Sequence, residues 1–131
     1  MTVVDTSVVV DVLLGTGAAE AGIELMAAAP SLAAPDLLAF EVLAVLRRIG
    51  GRGEADERRL AGAVEDLGAL RVELFPTMSL RRRAWELRHN LTIAEGLFVA
   101  LAEQLGEPLA TKDEGLADAA ARLGSAEIVR L

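Results

Sequence analysis

The sequence predicts an α/β domain: a small parallel β-sheet flanked by helices, an α/β/α sandwich. Three observations lead there. Short, apolar, β-prone runs alternate with longer segments of helical character, which is the pattern of strand–helix–strand units. Gly and Pro punctuate the joins between them. No internal repeat, low-complexity tract or linker interrupts the 131 residues, about the length of one domain, so a single domain over residues 1–131 is expected.

The elements follow in order. Thr2–Val4 reads as a strand, and Thr6–Leu14 as a helix that ends at Gly15-Thr16-Gly17. Glu20–Ala29 is a helix stopped by Pro30, Ser31–Ala34 a short strand, and Pro35-Asp36 the start of a helix running to Gly50-Gly51, with Asp36 as its N-cap or first-turn acid. Glu54–Leu70 places Leu60, Val64 and Leu67 on one side and charges on the other, which predicts an amphipathic outer helix. Arg71–Phe75 is a strand. Ser79–Asn90 and Thr92–Leu105 are two helices, the second apolar nearly all round and therefore buried, with Gly106 ending it. Pro108–Ala110, Asp113–Leu123 and Glu127–Val129 complete the chain as strand, helix and strand. In such a sheet, ligands gather at the carboxyl ends of the strands.

Composition narrows the function. There is no cysteine, which excludes disulfides, thiolate metal sites and thiol nucleophiles and leaves oxygen and nitrogen ligands. The opening residues carry no basic segment, and Asp5 and Asp11 interrupt the apolar run, so a soluble cytoplasmic protein without membrane association is expected. Formal net charge is −7, against a protein that coats a duplex with a broad basic surface. The charge is unevenly placed: −6 over residues 1–46, +3 over 47–88 and −4 over 89–131. Acidic ends can meet in one site while the arginines between them face an anionic substrate or partner; solvated surface charge is the plainer alternative. Apolar residues make up 53% of the chain, with mean hydropathy +0.39, more than a domain this small can hide, which points to contacts with other protein surfaces.

Four carboxylates stand out. Asp5 and Asp113 each follow a predicted parallel strand, at the rim where this architecture builds sites, although Asp at a helix start is also a common N-cap. Glu41 and Glu95 are lone acids within apolar helical segments, where an unpaired buried charge is costly. The neighbours of Glu95 at helical spacing are Leu91, Phe98, Val99 and Ala102; for Glu41, Arg48 could continue a polar stripe. If the four converge, their repulsion calls for a divalent cation, and carboxylate oxygens suit Mg²⁺ or Mn²⁺. Such a centre hydrolyses phosphodiesters without a protein nucleophile.

Asp5-Thr6-Ser7, Glu41, Arg88-His89-Asn90-Leu91-Thr92 leading to Glu95 and Leu97-Phe98-Val99-Ala100-Leu101-Ala102, and Thr111-Lys112-Asp113 together resemble the PIN-domain, VapC-like toxins over nearly the whole chain. The resemblance implies a PIN-like sheet, Mg²⁺-dependent RNA cleavage, inhibition by a VapB-like antitoxin and homodimerisation. It also implies that Asp5, Glu41, Glu95 and Asp113 hold metal, with the hydroxyls of Thr6, Ser7 and Thr111 supporting the ligands or their waters. The sequence departs from the family pattern once. The third acid is typically Asp, after an aromatic and before Ala, whereas here it is Ala94-Glu95-Gly96; both small neighbours are expected to leave room for the longer side chain.

Other residues invite chemistry and have plainer explanations. His89 lies near a helix C-terminus, where the dipole favours it. Arg81-Arg82-Arg83 cannot share one helix face and reads as a solvated run, and Trp85 as core or interface packing. Two rivals remain for function. A receiver-like signalling domain needs a phospho-accepting Asp after a central strand, which Ser31–Ala34 does not supply; a catalytically silent PIN-like binding module is allowed by the Glu95 departure.

Overall fold

The computed structural model describes Met1–Leu131 throughout. Its elements are β1 (Thr2–Val4), α1 (Thr6–Leu14), α2 (Ala19–Ala28), β2 (Leu32–Pro35), α3 (Leu38–Gly51), α4 (Glu57–Ala69), β3 (Val72–Phe75), a 3₁₀ turn (Thr77–Leu80), α5 (Arg81–Glu86), α6 (Ile93–Leu105), β4 (Leu109–Thr111), α7 (Glu114–Leu123) and β5 (Ile128–Arg130). The five strands form one parallel sheet in the order β3-β2-β1-β4-β5. The expected α/β fold is present.

Strand order fixes where the helices go. From β1 the chain steps outward through β2 to β3, then crosses back to place β4 on the other side of β1. Right-handed crossovers therefore set α1–α4 on one face and α5–α7 on the other. The packing agrees: α1 meets α2, α3 and α4, whereas α6 meets α5, β1, β2 and β4. Val3, Val4, Ala33, Ala34, Leu109 and Ala110 are fully buried at the sheet centre. They belong with Leu38, Val42, Phe98, Val99, Leu101 and Leu116 to the buried core or its immediate surroundings. α6 is buried over Phe98–Ala102, as its unbroken apolar sequence predicts.

The structure shifts several boundaries, and each shift has a local cause. Pro35 continues β2, paired with Phe75, so α3 begins only at Leu38. Asp36 does not cap α3; its amide donates to the Phe75 carbonyl (2.8 Å) and its carboxylate accepts from the Thr77 amide (3.1 Å), clasping the ends of β2 and β3. Asp56 caps α4 through the Arg59 amide (2.8 Å), which puts Glu54 outside that helix. The single helix expected over Ser79–Asn90 is the 3₁₀ turn followed by the short α5. Arg83 fixes α5 to α6 by a two-pronged bond to Glu103, at 2.7 and 3.0 Å. No helix is long and apolar enough to cross a membrane.

Candidate active site

The winding reverses between the parallel neighbours β1 and β4, with successive strands added outward on opposite sides of this pair, and this topological switch point opens a crevice beyond their carboxyl ends. Asp5 leaves β1 there and Asp113 leaves β4. The register of β1 on β4, Val3 with Leu109 and Val4 with Ala110, sets Asp5 beside Thr111. Thr111 is 1% exposed and the Asp5 residue 8%. The Thr111 hydroxyl donates to Asp5 Oδ2 (2.9 Å), and the Ser7 hydroxyl donates to the same oxygen (2.7 Å). Thr111 Oγ1 also accepts the Asp113 amide (3.0 Å), so one buried hydroxyl joins both strand-end acids.

Helix starts supply the other two acids. Glu41 sits in the first turn of α3, and its Oε1 accepts the Thr6 hydroxyl from the start of α1 (2.8 Å). Glu95 lies in the first turn of α6 in a capping box: Thr92 Oγ1 accepts the Glu95 amide, and Glu95 Oε1 accepts the Thr92 amide, each at 3.1 Å. Asp113 is likewise the N-cap of α7, its Oδ1 accepting the Leu116 amide (2.9 Å). Capping and site placement coincide in these two residues. In Glu41, Glu95 and Asp113 alike, the protein anchors one carboxylate oxygen and sends no donor to the second.

All four acids, with Thr6 and Ser7, line one cleft of about 550 Å³. Burial raises the Asp5 pKa, opposed by the hydrogen bonds from Ser7 and Thr111. Burial also raises that of Glu41, helped by the charges of Asp5 and Glu95 and opposed by the Thr6 hydroxyl and the Arg48 charge. None of the four forms an ion pair. In the arrangement seen, no three of them stand close enough to enclose one ion by themselves.

Sequence reasoning missed several residues of the cleft. Asp11, Thr16, Arg48, Thr92 and Lys112 line it as well. Asp11 carried the signal that drew attention to Glu41 and Glu95, a lone acid in an apolar helical run. The room beside Glu95 also differs from expectation. A Cβ on Gly96 would come within 3.2 Å of the Ala84 carbonyl oxygen and 3.3 Å of its Cα, so the space that Gly96 leaves is taken up by the approach of α5 to α6. His89 lies exposed beyond α5, outside the cleft. Arg83 binds Glu86 and Glu103 while Arg81 turns back on the Met78 carbonyl, as three consecutive helical side chains must diverge. Trp85 is no part of the core; it is 61% exposed with the Arg88 guanidinium 4.3 Å from its ring centre.

The family model for the PIN domain matches residues 2–122. The chain belongs to the PIN-domain family. This PIN domain is 38% identical over 121 residues to ribonuclease VapC9 of Mycobacterium tuberculosis, covering 90% of each chain, which places it among the VapC ribonucleases. Among solved structures its fold is similar to that of M. tuberculosis VapC20, a toxin that cleaves the sarcin–ricin loop (TM-score 0.72, 19% identity, all of both chains covered). It is also similar to a chain of VapBC2 from Rickettsia felis, solved bound to a fragment of promoter DNA (TM-score 0.69, 13% identity, 99% of this chain and 98% of that one).

Proposed function

We propose that this PIN domain is a divalent-metal-dependent endoribonuclease, acting as the toxin of a toxin–antitoxin pair, and that Asp5, Glu41, Glu95 and Asp113 are its metal-holding acids. The observation that carries the reading is the meeting of these four acids at the switch-point cleft, free of ion pairs and, in three of them, anchored through one oxygen only. The donor set fits a hard cation, Mg²⁺ or Mn²⁺. Mg²⁺ keeps several of its waters and commonly takes only one or two carboxylates directly, so spaced acids suit it. When bound, the ion supplies a hydroxide-like nucleophile and charge stabilisation at the scissile phosphate.

The chain's own residues prepare that chemistry. Ser7 and Thr111 fix the Asp5 carboxylate, Thr6 fixes Glu41, and Thr111 links Asp5 to the start of α7, joining the two strand-end acids through one hydroxyl. Burial raises the pKa of both Asp5 and Glu41, and at Glu41 the charges of Asp5 and Glu95 add to it, so a cation in the cleft would relieve the cost of keeping these carboxylates ionised. The whole of residues 1–131 acts as one domain in this reading.

Purified protein stripped with EDTA and given bacterial RNA should be inert, and Mg²⁺ or Mn²⁺ should restore cleavage. Asp113→Asn should stay inert at every metal concentration. Metal-independent cleavage, or none with either ion, contradicts the proposal. The second reading, a catalytically silent binding module, requires the capping box to be the whole role of Glu95, whose other oxygen accepts no protein donor. RNA binding without cleavage at saturating metal would establish that alternative.

The partners proposed are a VapB-like antitoxin, RNA and a second copy of the chain, all in the cytoplasm. Exposed Phe40, Leu43, Leu74 and Met78 support protein contacts beyond the monomer. Co-purification from the native operon identifies the antitoxin, and light scattering of the free toxin at tens of micromolar should show self-association; a strict monomer contradicts it.

A further inference from the structure

We infer that Lys112 is a substrate-phosphate contact of this cleft and that the buried Asp11 is the positioning residue that holds it there; the inference rests on the ribonuclease reading above. Asp11 is a fifth acid in the cleft wall, 4% exposed on α1, yet its surroundings set it apart from the other four. Its Oδ1 accepts the Thr16 hydroxyl (3.2 Å), and its Oδ2 accepts the Ala18 amide (2.8 Å) and faces Lys112 Nζ at 2.6 Å. Both oxygens are occupied by protein donors, so this carboxylate has little left to offer a cation. Gly17 makes the arrangement sterically possible, because a Cβ there would collide with the Asp11 carboxylate.

Lys112 stands between Thr111 and Asp113, and its side chain remains 38% exposed. Its ammonium carries three N–H donors, and Asp11 is its only ion-pair partner. A four-carbon arm beside so many carboxylates would be expected to collapse onto one of them. Asp11 prevents this: it holds the cation at the cleft wall and leaves Asp5, Glu41, Glu95 and Asp113 unpaired. The pairing also compensates for burying the Asp11 charge. Beyond the charge that a bound ion supplies at the scissile phosphate, an RNA strand brings further phosphates to this acidic cleft, and a preorganised ammonium with donors to spare is suited to hold one.

The test compares wild type, Lys112→Arg, Lys112→Met, Asp11→Asn and the Asp11→Asn/Lys112→Met double variant, with melting curves for each. Each is assayed for Mg²⁺-supported cleavage of a pool of fluorophore–quencher single-stranded RNAs over a range of KCl, and for binding of the same RNAs by fluorescence anisotropy. Lys112→Met should lose about ten- to a hundredfold in kcat/KM. The slope of log affinity against log salt should flatten by about 0.7, one phosphate contact on a single strand. Lys112→Arg should recover most of the loss. Asp11→Asn should lower kcat/KM when Lys112 is present and add nothing to Lys112→Met. Equal kcat/KM and equal salt slope in Lys112→Met and wild type would overturn the contact. Additive losses in the double variant would reduce Asp11 to an anchor of the Thr16–Ala18 turn. If Asp11→Asn fails to fold, Asp11→Ser, smaller and likewise uncharged, takes its place in the same comparison with and without Lys112→Met. A wild type that binds RNA without cutting it, and binds less well as Lys112→Met, would refute the nuclease reading while the contact stands.

Discussion

Thr111 and Asp5 stand 106 residues apart in the chain, and the hydroxyl of the first donates to the carboxylate of the second over 2.9 Å inside the protein. Because the same hydroxyl accepts the Asp113 amide, it is the joint between the two strand-end acids of the cleft. Parallel pairing of β1 with β4 creates this contact, and the burial of Thr111 keeps water from competing for it.

Thr111→Val keeps the shape and removes the joint. A buried acceptor that loses its donor costs about 1–3 kcal/mol, so the melting temperature should fall by several degrees. RNA cleavage should fall at least about tenfold, because the Asp5 carboxylate then keeps only Ser7 as its hydroxyl partner. Melting curves and initial rates in Mg²⁺ check both; unchanged rates would show that Asp5 needs no fixing by Thr111.

Asp5→Asn should abolish cleavage and yet stabilise the metal-free protein at neutral pH. The sign follows from the raised Asp5 pKa, which burial causes. A carboxylate with a folded pKa above its unfolded value of 3.8 disfavours folding once it ionises. The penalty is absent below the unfolded pKa, grows as pH rises through the folded one, and is full above it. Melting temperatures in EDTA should therefore favour Asp5→Asn at pH 7, with the gap closing toward pH 3. A gap that widens on acidification contradicts the assignment.

Glu95 bears both on the start of α6 and on the cleft, and substitutions separate the two roles. Glu95→Gln retains a side-chain oxygen for the Thr92 amide and loses the charge, so stability should change by less than about 1 kcal/mol while cleavage collapses. If Glu95→Gln cleaves like wild type in both Mg²⁺ and Mn²⁺, the centre has three acids. Glu95→Asp restores the family's usual residue. Activity gained by Glu95→Asp from an inert wild type would make the silent module the correct reading.

Gly96→Ala also restores the family pattern but should cost about 1–3 kcal/mol, because the added methyl meets Ala84 backbone atoms of α5 at 3.2–3.3 Å. Denaturant melts measure it. A neutral result would mean that α5 slides on α6 without penalty.

Periodicity and punctuation in the sequence determined the order and kind of nearly every element, since the alternation of short apolar runs with helical segments reflects which residues can be buried locally. Ser31–Ala34, Pro108–Ala110 and Glu127–Val129 each proved to be strands one residue further on, at Leu32–Pro35, Leu109–Thr111 and Ile128–Arg130, because registry with neighbouring strands sets the ends. Residue chemistry also singled out Asp5, Glu41, Glu95 and Asp113, as isolated acids in apolar or strand-end settings. What only the tertiary structure decided were relationships between distant segments. Strand order β3-β2-β1-β4-β5 brings residues 5 and 113 to one crevice. The pairing of Asp11 with Lys112, the joint at Thr111, and the contact of Gly96 with Ala84 depend on which elements become neighbours across the sheet. Local propensity is written residue by residue, but a carboxylate's partners and charge environment are set by through-space distances of a few ångströms that only the packed chain defines.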